Sequence, residues 1–506
     1  MITDKTHSLV NVKDFIPNIK YSDKIKNSVK LFKEIQSNHY VISALEDIQE
    51  DTEYFELRKA IRDKTTSVAV RWFDRVEFER LSNLFSTSEQ FEFDTSELQA
   101  LALKHIGDAT ARRASDIHIR IENTYSQIFY RIDGYMRQIA SPTLELGKAL
   151  GNTIFNSLCE QHSKSSLSYT EESEARVKEE FVTGFGLTTC RFSSRPGGQG
   201  RLLIVMRLVR RRTEQIPFSA LGLLPQEESI LIRALYGKGG VIFGAPMGEG
   251  KSTACQVSAE FCLSQQPGIN LVSVEDPVES PIKGAFQTPK GNQSMADAIK
   301  SLLRLDVDIY YIGEIRDSES ARLVIEAIKT GRLLMTTIHV DSPADILLRL
   351  KMLGVDDDLL YDPTVLPVLV GLRLVPKLCE HCKQPWNKQK GKIRQEIADL
   401  IDKQIEADKA FSINPGGCEE CGFTGVFGRT GIYEVIDTTN GYMYRYVKEG
   451  KLAAYLDWIA KGGITLCMNS KRIINEGIAD PVWVHQRACN LDRDDKLKAG
   501  NTYEQV

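Results

Sequence analysis

The sequence has no uninterrupted apolar run of about 18 residues, which is the length that a helix needs to cross a bilayer. Its first residues, Met1 to Lys5, also lack the apolar stretch of a secretory signal. We therefore expect a cytoplasmic chain that associates with a membrane only through partners.

An excess of charge of one sign is also missing, since 64 basic side chains face 68 acidic ones and the net charge is −4. This balance disfavours a nucleic-acid-binding protein, because such proteins neutralise phosphates with clustered Lys and Arg. The sequence contains no internal repeat and no low-complexity tract. A chain of 506 residues with 42% hydrophobic residues is typical of a soluble globular protein of about two to four domains.

Ten cysteines are present. In a reducing cytoplasm, thiols are more often metal ligands or small buried hydrophobic residues than disulfide partners. We expect burial for the six isolated cysteines, which are Cys159, Cys190, Cys255, Cys262, Cys467 and Cys489.

The other four cysteines form two Cys-x-x-Cys pairs, Cys379 with Cys382 and Cys418 with Cys421. Within each pair the spacing lets both thiolates bind one ion, and two pairs complete the tetrahedral set of a structural zinc site. A redox dithiol would explain one pair but not two. The sequence therefore predicts a small zinc module, with His381 outside the ligand set.

The pattern of apolar, polar and turn-forming residues changes several times along the chain. Strand-like runs and turns predict an α+β domain in the first half, and alternating strands and helices predict an α/β domain with a mostly parallel sheet in the second half. The predicted segments are a helical, partner-binding N-terminal extension (1–92), the α+β domain (93–210), a charged linker (211–217), the α/β domain (218–440) with the zinc module at about 376–430, and a helical C-terminal region (441–506).

Within the α/β domain, apolar runs predict strands at 240–243, 269–274, 309–312 and 333–338. A helix is expected to begin at Pro225 and to end before Gly237, since Pro favours the first position of a helix and Gly its end.

A glycine-rich loop joins the first of these strands to a helix predicted from Thr253 onward. This order is the one that a phosphate-binding loop requires, because backbone N–H groups and the helix N-terminus attract anions. Lys251 is expected to contact the β- and γ-phosphates, and the Ser252 hydroxyl to bind Mg²⁺. The residues assigned to nucleotide binding are Gly244, Ala245, Pro246, Met247, Gly248, Glu249, Gly250, Lys251, Ser252 and Thr253.

Two positions of this loop depart from the usual pattern. Ala245 stands where the first Gly is expected, and the turn is preserved only if its φ is negative. Glu249 places a carboxylate beside the phosphates, so we expect its side chain to point outward. These departures leave open a protein that binds nucleotide without hydrolysing it.

Acidic and histidine side chains follow three other predicted strands, at the sheet edge where ligands bind in α/β proteins. Glu314 is the only acidic residue left on its strand, because Gly313 occupies the usual position of a metal-binding Asp, and we assign Glu314 to orienting the attacking water. Glu275 or Asp276 would support the magnesium ion, and His339 would sense the γ-phosphate.

These motifs in order resemble the secretion ATPase superfamily, which contains the type II secretion and type IV pilus assembly ATPases. The similarity rests on the phosphate loop, on Glu275–Glu279, on Gly313–Asp317, on Gly331–His339 and on the run Arg113–Ile119 in the first half. It implies a RecA-like P-loop ATPase domain that follows a PAS-like domain. It covers roughly residues 95–440.

The resemblance also implies that arginines of the N-terminal domain cover the triphosphate. The matching positions are Arg191 and Arg207, and arginine suits this role because its planar fork binds phosphate oxygens in pairs. Arg195, Arg201 and Arg210 are alternatives close in sequence.

The four cysteines and the run Gly428–Glu434 resemble the assembly ATPases, since retraction ATPases and type IV secretion relatives generally lack them. The implied protein is a homohexameric ATP hydrolase, peripheral at the inner membrane, that works with a platform membrane protein to extend a type IV pilus or a type II secretion pseudopilus. The altered loop favours the type IVb pilus branch. Alternatives are a retraction or type IV secretion motor, a nucleic-acid translocase and a nucleotide-gated scaffold with little hydrolysis.

Overall fold

The structure is a computed structural model that describes residues 7–10, 22–34, 39–65, 67–78, 94–160, 166–212 and 215–503. The chain divides into two compact units, Met1–Asp94 and Thr95–Val506. Part of the predicted linker, residues 213–214, lies outside the described residues, as do residues 79–93 at the end of the predicted extension.

The first unit contains a four-stranded sheet in the order β1-β2-β3-β4, in which only β3 and β4 pair in parallel. The predicted helical extension is therefore wrong. Leu31 and Phe32, adjacent in β2, are buried in separate apolar clusters, as expected for neighbouring side chains of a strand. The strands are β1 (His7–Val10), β2 (Val29–Glu34), β3 (Tyr40–Leu45) and β4 (Val68–Phe73), and the helices are α1 (Asp23–Ser28) and α2 (Thr52–Lys64).

The second unit begins with an antiparallel six-stranded sheet in the order β7-β6-β5-β10-β9-β8. Strands β6 and β10 alternate buried residues with more accessible ones, so one face packs on helices. The strands are β5 (Ala114–Ile121), β6 (Ser126–Ile132), β7 (Tyr135–Ala140), β8 (Ser173–Arg176), β9 (Leu187–Gly198) and β10 (Arg201–Arg210), and the helices are α3 (Thr95–Ala111), α4 (Leu144–Thr153) and α5 (Glu179–Val182).

A seven-stranded sheet follows, in the order β13-β12-β14-β15-β11-β16-β19. All neighbours pair in parallel except β16 and β19. The predicted α/β sheet and its four predicted strands are confirmed. The strands are β11 (Gly239–Gly244), β12 (Leu271–Glu275), β13 (Phe286–Pro289), β14 (Ile309–Ile315), β15 (Leu333–Ile338), β16 (Val368–Leu378) and β19 (Val426–Asp437).

Helices cover both faces of this sheet, and two apolar clusters lie on its opposite sides. The predicted helix at Pro225 is confirmed. The helices are α6 (Pro225–Leu235), α7 (Lys251–Gln265), α8 (Met295–Leu302), α9 (Ser318–Lys329), α10 (Asp345–Met352) and α11 (Asp357–Leu360).

Between β16 and β19 the chain forms the segment with the four paired cysteines, which we call the cysteine module (residues 379–425). It contains α12 (Trp386–Gln389), α13 (Gln395–Asp402) and a small sheet of β17 (Gln384–Pro385) and β18 (Phe411–Ser412). Because β16 and β19 are paired neighbours, both ends of the module are fixed to the edge of the main sheet.

The C-terminal region is helical, with its first helix interrupted at Gly450, whose φ is 87°. Its helices are α14 (Tyr442–Ala460), α15 (Leu466–Asn475), α16 (Pro481–Trp483) and α17 (Arg493–Tyr503). Among the residues that the structure describes, no helix combines the length and the apolar character that crossing a membrane requires.

Candidate functional site

The glycine-rich loop lies between the end of β11 and the start of α7. Gly248 and Gly250 have φ values of 81° and 87°, which glycine adopts without strain. Ala245 is fully buried and does not have a positive φ, so the side chain that replaces a glycine there is accommodated. The loop therefore keeps the shape that anion binding needs, with the N-terminus of α7 behind it.

Lys251, the first residue of α7, is 7% exposed. Its Nζ donates hydrogen bonds of 2.9 Å to the carbonyl oxygens of Ala245 and Pro246 and lies 3.1 Å from Nδ1 of His339. Burial lowers the pKa of Lys251 to about 8. Ser252, half-buried, and Thr253, exposed, follow it on the first turn of the helix.

Glu249 does not point outward, contrary to the sequence prediction. Its Oε2 accepts a 2.7 Å hydrogen bond from the backbone N–H of Leu374 on β16, and burial raises the pKa of its carboxyl group. The neighbouring strand thus holds the carboxylate, and its charge opposes the lowering of the Lys251 pKa.

His339 and Glu314 meet at the ends of the adjacent strands β15 and β14. Nε2 of His339 lies 2.7 Å from Oε1 of Glu314. Because the Lys251 ammonium group can only donate, Nδ1 of His339 accepts, which places the proton of a neutral ring on Nε2. Burial and the Lys251 charge lower the pKa of His339, which favours this neutral ring.

Arg316 binds the other oxygen of Glu314. Its Nε donates a 2.7 Å hydrogen bond to Glu314 Oε2, and its Nη1 lies 3.5 Å from Oδ2 of Asp276. Nζ of Lys290 lies 3.8 Å from the same oxygen of Asp276. Asp276 and Glu314 are thus joined through Arg316, and the pKa of that guanidinium is raised by its bond to Glu314.

Glu275, at the end of β12, is 3% exposed. Its Oε1 accepts hydrogen bonds from Ser273 (2.7 Å) and from the amide of Gln287 (2.9 Å), and burial raises its pKa. A Cβ built on Gly313 would lie 3.6 Å from Cγ of Glu275. Glu275 therefore lies directly beside Gly313, the position of β14 where a metal-binding Asp was expected.

The two arginines taken from the first half of the chain differ in their contacts. Nη2 of Arg191 donates to the carbonyl oxygen of Asp276 over 3.5 Å, which brings this arginine to the edge of the main sheet. Arg207 instead donates through Nε to Oδ1 of Asp116 over 3.1 Å. Asp116 is 5% exposed and also lies 4.0 Å from Nε of Arg131.

The alternative arginines have partners elsewhere in the same half. Arg195 pairs with Glu172, Arg201 donates to Gly197, and Arg210 donates to the carbonyl oxygen of Thr110. Of the two assigned arginines, Arg191 hydrogen-bonds a residue at the edge of the main sheet and Arg207 does not.

The four paired cysteines converge, with all their Sγ atoms within 4.8 Å of one another. Although burial opposes it, the backbone N–H groups of Cys418 and Gly425 lower the pKa of Cys421 to about 6. Four convergent thiols, one of them ready to ionise, fit the donor set of a structural zinc ion. His381 is exposed and outside this set.

Comparison with known proteins decides the family. The family described as Type II/IV secretion system protein matches residues 92–486, which is most of the chain. The chain belongs to this family. The resemblance stated from the sequence motifs is thereby confirmed.

Two relatives illustrate the similarity. This type II/IV secretion system protein is 31% identical to Type II secretion system protein E of Klebsiella pneumoniae over 65% of its own length and 63% of the relative's. It is 29% identical to the type IV pilus assembly ATPase PilB of Acinetobacter baylyi over 71% of its own length and 65% of the relative's. The chain thus spans slightly less than two thirds of these relatives.

Among solved structures, the ATPase DotB of Legionella pneumophila matches with a TM-score of 0.52. The alignment covers 78% of this chain and 95% of DotB at 16% identity, so it supports the shared fold alone.

Several contacts of this family member escaped the sequence analysis. Arg316 stands in the same run as Glu314, so its position was visible although its two partners were not. Gln287 and Lys290 carry no sequence motif, and only the pairing of β13 with β12 brings them to Glu275 and Asp276. Arg131 was not singled out either, because its proximity to Asp116 depends on the register of β5 and β6.

Proposed function

We propose that this chain is an ATP-hydrolysing motor of the secretion ATPase superfamily. The observation that carries the proposal is the row Lys251–His339–Glu314, formed by the first residue of α7, the residue after β15 and the end of β14. A cation at a phosphate loop and a carboxylate oriented by a neutral histidine are the groups that phosphoryl transfer to water requires.

In this proposal the loop Gly244–Thr253 binds the triphosphate, and Lys251 exchanges its two carbonyl partners for phosphate oxygens. Ser252, Glu275 and Asp276 hold Mg²⁺, with the acidic residues acting through water. The magnesium ion would neutralise phosphate charge. Glu314 orients the attacking water, and His339 links that carboxylate to the cation at the phosphates.

Closure of the first half onto the main sheet completes the site. Arg191 supports this step because it already contacts Asp276, and its fork would bind phosphate oxygens as charge develops. Arg207 would bind phosphate oxygens only after release from Asp116, so we assign it the smaller contribution to phosphate binding. Residues 93–210 act as a PAS-like domain and residues 218–440 as a RecA-like domain, and the linker 211–217 joins them.

We further propose a homohexamer, peripheral at the inner membrane, that drives extension of a type IV pilus or a type II secretion pseudopilus through a platform protein. The two relatives are named for type II secretion and for type IV pilus assembly, and these names support the proposal. The four-cysteine set, proposed to hold zinc, favours extension over retraction. The N-terminal region 1–92 binds a partner, and nucleic acid is not a ligand. The type IVb branch remains a prediction.

A retraction or type IV secretion motor would use the same site and differ in output. A nucleotide-gated scaffold is disfavoured by Glu249 and Ala245, the residues that suggested it, because Leu374 holds the first and the second fits in the core.

The test is steady-state phosphate release by the full-length protein with Mg²⁺, beside Lys251→Ala and the exposed control Lys283→Ala. We expect turnover in the parent and the control, and a loss of about 100-fold or more in Lys251→Ala. Turnover unchanged by Lys251→Ala would refute the assigned site. ATP binding without turnover in the parent would favour the scaffold. Sedimentation of the full-length protein tests whether it is a hexamer.

A further inference from the structure

The turn between β6 and β7, residues Asp133 and Gly134, and the start of β7 contact residues 424–428, which lead from the cysteine module into β19 and which we call the exit segment. We propose that the exit segment is the docking surface of the β6–β7 turn, and that metal bound by the four cysteines keeps the sheet β5–β10 docked on the main sheet. These contacts lie within the chain and do not depend on ATP hydrolysis.

The exit segment offers one backbone acceptor to β7 and one backbone donor to the turn. Nη2 of Arg137, on β7, donates a 2.5 Å hydrogen bond to the carbonyl oxygen of Thr424. The backbone N–H of Gly428 donates to Oδ2 of Asp133 over 3.1 Å. Both bonds join residues almost 300 positions apart, so they link separate layers of the fold rather than neighbours in sequence.

Arg113 adds a third contact. Its Nη2 lies 3.2 Å from Oδ2 of Asp133, and its guanidinium lies 4.1 Å from the ring centre of Phe427. Asp133 is 7% exposed, so its charge is compensated by Arg113 and by the N–H of Gly428 rather than by water. Removing the loop would leave a nearly buried carboxylate with one partner.

The shape of the turn depends on residues that permit a left-handed backbone. Asp133 and Gly134 have φ values of 46° and 88°. A Cβ on Gly134 would lie 3.7 Å from both Pro376 and Trp483, and its carbonyl oxygen accepts from Nη1 of Arg487 over 3.3 Å. The turn is thus held on a second side by the strand that enters the module and by the C-terminal helices.

The contacted loop is shaped by a cysteine ligand. Sγ of Cys421 accepts the backbone N–H of Gly425 over 3.1 Å, and its carbonyl oxygen accepts the Thr424 hydroxyl over 2.6 Å. A Cβ on Gly425 would lie 2.3 Å from the carbonyl oxygen of Asn414, so the loop passes closely against the segment before Cys418. A metal that fixes both cysteine pairs therefore also fixes the carbonyl group of Thr424.

The position of Arg191 follows from this docking. Arg191 lies on β9 of the same sheet as β6 and β7, and it contacts Asp276 across the two halves. If the turn loosened, the first half of the second unit would depend more on the linker and on the contact between Arg191 and Asp276. Under the proposed function, metal occupancy would then set how readily the arginine reaches the nucleotide.

The experiment is amide hydrogen exchange on the full chain, followed in peptides that cover the β6–β7 turn and in peptides of α7 as a reference. Removing the metal with a chelator should speed exchange in the turn about tenfold or more, while α7 changes little. Unchanged exchange in the turn after metal removal would overturn the proposal.

A variant series separates docking from folding of the module. Arg137→Ala should speed exchange in the turn about tenfold while the bound metal per chain stays at the parent value, because the cysteines are untouched. Arg120→Ala is the matched control, since Arg120 stacks on Phe129 within its own sheet, 4.7 Å from the ring centre. Equal exchange in both variants would contradict the docking role.

Two further results separate docking from folding and from ATPase activity. If metal removal unfolds the chain, Phe427→Ala tests the same surface with metal retained, and it should loosen the turn without releasing metal. If the parent has no ATPase activity but its turn loosens on metal removal, the proposed function fails and docking is supported. If the parent is active and its turn does not loosen on metal removal, docking fails and the proposed function stands.

Discussion

Nε2 of His339 lies 2.7 Å from Oε1 of Glu314, while Nδ1 of the same ring lies 3.1 Å from Nζ of Lys251. One neutral imidazole therefore connects the cation of the phosphate loop to the carboxylate assigned to the water. A change at the lysine, such as the arrival of a phosphate, would alter the histidine and through it the orientation of Glu314.

We predict that His339→Gln lowers turnover about 10- to 100-fold while ATP affinity stays within about threefold of the parent, because the histidine orients a catalytic group and contributes little to binding. Single-turnover hydrolysis and equilibrium binding of ATP measure the two effects. His485→Gln, remote from the phosphate loop in sequence, is the control. Equal turnover in both variants would rule out the connecting role.

We predict that Arg316→Gln lowers turnover more than Arg316→Lys, because lysine keeps a charge near Glu314 but cannot bind Glu314 and Asp276 with separate nitrogens. Arg322→Gln, on the neighbouring helix α9, should resemble the parent; Nε of Arg322 donates to the carbonyl oxygen of Gly354. The measurement is turnover at saturating ATP. Full activity of Arg316→Gln would show that Glu314 is oriented without Arg316.

Local patterns of the sequence were sufficient for the phosphate loop and its flanking strand and helix, because glycines, an apolar run and a helix start lie within a few residues. They were insufficient where the partner is distant. Glu249 binds Leu374, 125 positions away, and Arg207 binds Asp116, 91 positions away, so neither orientation follows from local spacing.

The N-terminal unit shows the other cause of error. Its Lys-containing segment at Val29–Glu34 mixes charged and apolar residues in a way compatible with helical or strand periodicity. Pairing with β1 and β3 decides for a strand. Similarly, four cysteines predicted a metal module, but only the structure places Gly428, just after the module, against Asp133.

Lys251 predicts a proton linkage. Burial lowers its pKa to about 8, and a bound triphosphate favours the charged amine, so ATP binding above about pH 8 should take up a proton. Below about pH 7 the amine is already protonated and uptake should vanish. Calorimetry in buffers with different ionisation enthalpies measures the uptake, and Lys251→Arg should abolish it. Uptake that persists in that variant would assign the proton elsewhere.

Glu227 predicts a pH-dependent stability. It is 2% exposed, and burial raises its pKa from 4.5 to about 7. A raised carboxyl pKa means that the folded chain holds the proton more tightly, so this contribution to stability declines as the pH rises from about 4.5 through 7, by up to ~3 kcal/mol.

In Glu227→Gln the decline should be smaller, since glutamine does not titrate. Thermal unfolding midpoints of the parent and the variant, measured from about pH 5 to 8, test this, with the half-buried neighbour Glu228→Gln as control. Parallel pH profiles of the parent and Glu227→Gln would contradict the assignment.

The central claim is that Glu314 serves hydrolysis and not nucleotide binding. We would measure steady-state ATPase activity and bound ATP for the parent, for Glu314→Gln and for the control Glu319→Gln, which changes an exposed acid on the following helix. The account predicts turnover in the parent and the control, and a loss of at least about 100-fold in Glu314→Gln with ATP still bound. Full turnover in Glu314→Gln, or loss of ATP binding together with turnover, would contradict it.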